Sequence, residues 1–175
     1  MVFPETNEDE KKSLLPLVQN LVSMAFLSRR FGLLALEEYA DDKTIQMPFI
    51  LHKGLQLLVD GYDFEDIARI FDNYIEAGSY QGCDLLERLI IREAIRLIQE
   101  GTNPRLVCET LVSFFGENFL RYTLDLENLY NTAQKCLIFS KRPKDAPENT
   151  EDEMGDNKSN LFLIMGFGNE DDHKF

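Results

Sequence analysis

Two histidines, His52 and His173, and three cysteines, Cys83, Cys108 and Cys136, are the side chains best suited to hold a metal or act as nucleophiles. Their spacing supports neither role. No CxxC pair occurs, and no cysteine or acidic cluster stands at ligand spacing beside either histidine. An odd set of well-separated cysteines is not a disulfide framework. Each lies within or beside an apolar run, where a thiol ordinarily behaves as a small buried hydrophobe. The sequence has no nucleophile elbow, phosphate-cradling loop, HExxH helix or calcium loop. The adjacent acids Glu37-Glu38 and Asp41-Asp42 diverge by about 100° on a helix, so they read as solvated helix ends and not as shared acid-base sites. No catalytic residue, metal or cofactor is expected, and the chain is not expected to be an enzyme.

Arg29, Arg30 and Glu37 suit another chemistry, the orientation of a protein partner by charge. A helical pattern runs from about residue 13 to about residue 39. Projected at about 100° per residue, it places Leu27, Phe31 and Leu34 together as the main apolar stripe. Arg29, Arg30 and Glu37 fall roughly opposite, on a side that also holds Val18, Val22, Leu33 and Leu36. A helix apolar on both sides is either sandwiched within its own domain or offers its second stripe to a partner. On the second alternative the docking residues are Arg29, Arg30, Leu33 and Glu37.

The elements that carry these residues are all helical, with no alternating strand pattern. Residues 1–12 read as a disordered lead-in, 13–138 as one helical domain, and 139–175 as an acidic flexible tail. After the first helix come patterns at about 47–60, 63–77, 84–100, 104–115 and 120–138, which makes an all-α bundle of about six helices. Gly61, Gly78 and Gly101 stop helices, and Asp63 and Asn103 cap the ones that follow. An internal repeat appears at an offset of 40 residues: 50–71 lies over 90–111. Leu51, Leu55, Leu57, Leu58, Gly61, Asp63, Ile67 and Phe71 match Ile91, Ile95, Leu97, Ile98, Gly101, Asn103, Val107 and Leu111. Each unit is a helix, a glycine stop, a capped turn and a second helix, a duplicated hairpin. The tail contains one apolar island, residues 161–168 (LFLIMGFG), between charged flanks.

The formal charge of −13 on 175 residues repels nucleic-acid phosphates and anionic lipid. A nucleic-acid partner is therefore excluded. No secretory h-region opens the sequence and no apolar run approaches the ~20 residues of a membrane helix, so no membrane insertion and a cytoplasmic location are expected. A homo-oligomer is compatible with all of these features.

The stretch SRRFGLLALEEYADDKTIQMPFILHKGLQLLVDGYDFEDIARIFDNYIEA, residues 28–77, resembles the cytoplasmic loop of the flagellar motor stator subunit MotA. Residues 30–37 (RFGLLALE) carry most of the resemblance and 53–61 (KGLQLLVDG) support it. It implies a protein-binding role with the rotor switch protein FliG as partner, through an Arg and a Glu that align with Arg29 and Glu37; Arg30 and Glu38 stand beside them. The family's membrane helices have no counterpart in this sequence, so the resemblance implies the loop's docking function and not ion conduction. Small size, acidity and a helical build equally suit a stand-alone helical adaptor or a secretion chaperone.

Overall fold

The computed structural model describes residues 4–41 and 47–140, with side chains described through residue 135 except that of residue 41. The tail and its island at 161–168 lie outside the described residues. Every regular element among the described residues is helical. In chain order these are α1 (Glu8–Ser13), α2 (Leu15–Phe31), a 3-10 turn (Leu33–Leu36), α3 (Glu37–Asp41), α4 (Phe49–Val59), α5 (Phe64–Gly78), α6 (Gly82–Gln99), α7 (Pro104–Ser113), α8 (Glu117–Tyr122) and α9 (Leu126–Ser140). These segments outnumber the six expected, for three local reasons.

The first is at the N-terminus, where a capped helix takes residues 8–12 of the expected disordered lead-in. Asn7 accepts the Glu10 backbone N–H (2.9 Å), and the Glu10 carboxylate accepts the Asn7 N–H (2.8 Å). This reciprocal box satisfies two of the donors a helix start leaves open. The second is Gly32, where the expected helix over 13–39 is cut. Its φ of 84° and ψ of 167° lie in a region that glycine alone occupies readily. The third is Asp125, which accepts the Asn128 N–H at 3.0 Å. That cap starts α9 and leaves α8 as a separate turn of the expected helix over 120–138.

Helix α2 is the centre of the fold, packed against α6, α7 and α9. Val18, Leu21 and Val22 are fully buried, and the Ser23 hydroxyl reaches the Ala133 carbonyl of α9 at 2.9 Å. Val18 and Val22 on the charged side and Leu27 on the main stripe are therefore used inside the domain. α4 packs on α3, α5 and α6, and α6 on α5 and α7.

The ends of α4 and α6 are built alike. At α4 the Tyr62 N–H donates to the Leu57 carbonyl (3.1 Å) and the Gly61 N–H to that of Leu58 (3.2 Å). At α6 the Thr102 N–H donates to Leu97 (3.0 Å) and the Gly101 N–H to Ile98 (3.1 Å). Each pair is a Schellman motif closed by a left-handed glycine. Leu51, Leu55, Leu58, Ile67 and Phe71 are buried, and so are Ile91, Ile95, Ile98, Val107 and Leu111. At α5 the left-handed residue is Ser79 and not the expected Gly78.

Cys108 on α7 is fully buried. Burial, ahead of the neighbouring Glu109 charge, pushes its thiol up to about 12. Because only the thiolate attacks an alkylating reagent, Cys108 is expected to stay unmodified by iodoacetamide at neutral pH in the folded protein. It should react fully after unfolding in denaturant. Site-resolved mass spectrometry checks this, and stoichiometric labelling of folded protein at Cys108 refutes it.

Candidate functional site

The break at Gly32 decides where the charged docking candidates Arg29, Arg30 and Glu37, and Glu38 beside them, lie. Arg29 and Arg30 occupy the last turn of α2, where cations suit the negative end of the helix dipole. Glu37 and Glu38 occupy the first turn of α3, where anions suit the positive end. The Arg and Glu groups therefore sit on different elements, not on two turns of one helix. All four are exposed.

Arg29 is engaged within the fold. Its Nη1 donates to the Gly101 carbonyl at 2.9 Å, in the turn just past the end of α6. The side chain thus ties the end of α2 to the turn between α6 and α7. Arg30 turns outward, its guanidinium 5.2 Å from the centre of the Phe31 ring. Arg30, Glu37 and Glu38 form no ion pair among the described residues. Leu33 is half-buried and packs against the core, so it is not part of the exposed face expected for it.

Two residues assigned to the apolar core stripe emerge instead. Phe31 is 44% exposed and Leu34 is 68% exposed, whereas Leu36, projected onto the charged side, is fully buried. Periodicity counted across Gly32 misplaces Leu34 and Leu36, because the helical phase does not survive a residue at positive φ. The glycine within RFGLLALE is itself the signal that locates the break. Along the chain the exposed Arg30 is followed by the exposed Phe31 and Leu34 and then by the exposed Glu37 and Glu38.

An open groove of about 770 Å³ lies elsewhere, lined by residues that include Glu5, Glu10, Cys83 and Asp84. Burial pushes the Cys83 thiol up, outweighing its contact with Ser13, and the acids around it act in the same direction. The site thus disfavours the thiolate a nucleophile needs. His52 is half-buried on α4 and is not among the groove's described lining residues. Among the described residues no group of three or more histidine, cysteine or acidic side chains is placed to hold a metal ion. Among them also, no helix is long and apolar enough to cross a membrane.

No protein-family model matches the chain, and no solved structure matches it. The chain is similar to the uncharacterized protein YtxD of Bacillus subtilis (strain 168), with 41% identity over 70 residues. That match covers 40% of this chain and 24% of YtxD. The chain thus spans about a quarter of the length of the relative it matches.

Proposed function

We propose that this chain is a cytoplasmic protein-binding module resembling the rotor-facing loop of a flagellar stator subunit, built on a duplicated helical hairpin. Its docking face is Arg30, Phe31, Leu34 and Glu37, and its partner is a rotor switch protein. The observation that carries the reading is the exposure of Phe31 and Leu34 between Arg30 and the Glu37-Glu38 pair. Apolar side chains in the middle of such a face supply affinity, and charges at its rim set encounter rate and orientation. The local match to a much longer protein supports a unit used in more than one setting. The matched Schellman motifs and buried positions of the two hairpins support the duplication.

Arg30→Glu and Glu37→Lys are each expected to weaken binding to the switch protein by roughly tenfold, equivalent to ~1.4 kcal/mol. The loss should come mainly from the association rate and shrink at high salt. Arg29→Glu also removes the bond to Gly101, so its effect on affinity is mixed with one on stability. Titration calorimetry together with thermal unfolding of each variant checks this. Folded Arg30→Glu and Glu37→Lys variants with unchanged affinity would reject the face. Recovery of an unrelated exported client in place of rotor proteins would favour a secretion chaperone.

A further inference from the structure

Three carboxylates line the open groove between the N-terminal segment and the start of α6: Glu5, Glu10 and Asp84. No lysine or arginine is among its described lining residues. The bases of α1 and of the first two turns of α6 are engaged elsewhere. Lys11 lies over the Phe119 ring, Lys12 pairs with Glu8 and Asp9, and Arg88 meets Glu87 and the Tyr80 ring. Glu10 is held by the Asn7 N–H at 2.8 Å, and Glu5 and Asp84 are exposed. Burial pushes the Cys83 thiol up, and Glu10, Glu87 and Asp84 push it the same way, as a negative potential in the groove requires.

The sequence holds one run of three bases in four residues, Lys141, Arg142 and Lys144. No acid stands between Lys135 and Lys144, and the acidic remainder of the tail starts at Asp145. The run follows directly on Ser140, the last residue of α9. Ser23 bonds Ala133, and Phe26 lies beside Tyr130 (5.4 Å between ring centres), so α9 runs antiparallel to α2. Ser140, seven residues past Ala133, is therefore level with the first turn of α2. Helices α2 and α6 run the same way. Ser13 Oγ, just before α2, is 4.0 Å from Cys83 Sγ, and Arg29 bonds Gly101 just past α6. The end of α9 and the groove thus lie at one end of the bundle. With α2 between them, α9 and α6 are about 16–20 Å apart, two ordinary helix spacings. Residues 141–144 span up to about 14 Å when extended, and their long side chains cover the remainder.

We propose that this groove docks a short basic segment, and that residues 141–144 of the same chain occupy it with their three bases against Glu5, Glu10 and Asp84. The contact closes the groove to basic segments of other proteins and fixes where the acidic remainder of the tail leaves the domain. It is independent of the face at Arg30. Each exposed ion pair is weak by itself. Pro143 restricts the backbone between the bases, and tethering supplies a local concentration on the order of mM. An intrinsic dissociation constant of that order leaves about half of the molecules closed.

The test uses the full chain and compares the native sequence with Lys141→Glu/Arg142→Glu/Lys144→Glu, whose changes lie outside the described helices. At low salt the amide resonances of Gly82 and Cys83 are expected to differ between the two chains. The difference should vanish at about 1 M salt, where charges are screened beyond about 3 Å. Viewed from the tail, Glu5→Lys/Asp84→Lys should shift the amide resonances of Arg142 and Lys144. Glu5→Lys alone, a change outside any helix, should do the same to a smaller extent. A peptide of residues 140–144 should shift Gly82 and Cys83 in the reversed chain. It should bind the native chain about twofold more weakly, because the tethered segment competes. Identical Gly82 and Cys83 resonances in native and reversed chains at low salt overturn the proposal, as does a difference that persists at high salt. A difference that grows with protein concentration also overturns it, by placing a second copy's basic segment in the groove. Equal peptide affinity for both chains removes the chain's own segment as the occupant.

Discussion

Phe71→Ala is expected to lower the unfolding free energy by about 3–5 kcal/mol, the range for truncating a buried aromatic. Phe71, on α5, is among the largest fully buried side chains, and its Cζ reaches the α4–α6 crossing at Gly54. Truncation removes the transfer energy of the ring and leaves a cavity between three helices that can collapse only partly. A single domain commonly has ~5–15 kcal/mol of stability in all. Denaturant unfolding should show a lower midpoint with an unchanged slope, the mark of lost stability without a change in exposed surface. A loss under about 1 kcal/mol would mean that the α4–α5–α6 contact is not packed as described.

Gly54→Val is expected to destabilise by about 1–3 kcal/mol, although leaving glycine inside a helix normally helps. A Cβ on Gly54 would stand 2.6 Å from Phe71 Cζ and 3.0 Å from Ile95 Cγ1. All three residues are buried, so neither neighbour can swing into solvent. Either α4 moves off α6 or the ring leaves its rotamer. The effect should not add to one at Phe71. Phe71→Leu removes Cζ, so in that background the penalty should shrink, with a coupling of about 0.5–3 kcal/mol. A double-mutant cycle by chemical denaturation measures it. Strict additivity would show that the crowding lies elsewhere.

The all-helical class and the stops at Gly61 and Gly101 were legible in the sequence because they rest on interactions spanning at most six residues. Schellman closure needs a glycine and the carbonyls just before it, all contiguous in the chain. The α1 cap was legible in principle, since Asn7 and Glu10 stand at the spacing of a capping box. The expectation of a disordered lead-in over 1–12 leaves that spacing out.

The sequence by itself determined the all-helical class, the glycine stops at 61 and 101, and that charges cluster with leucines near Gly32. Only the tertiary structure decided which side of that cluster faces outward. Val18 and Val22 are covered because α6, α7 and α9 surround α2, a fact about elements far apart in the chain. Arg29 reaches the Gly101 carbonyl because the turn after α6, seventy-two residues away, is packed beside the end of α2. Leu34 is left outside and Leu36 covered because one residue at positive φ resets the helical phase before them. Periodicity assigns faces only while the backbone repeats, and burial depends on what arrives from elsewhere in the chain to cover each face.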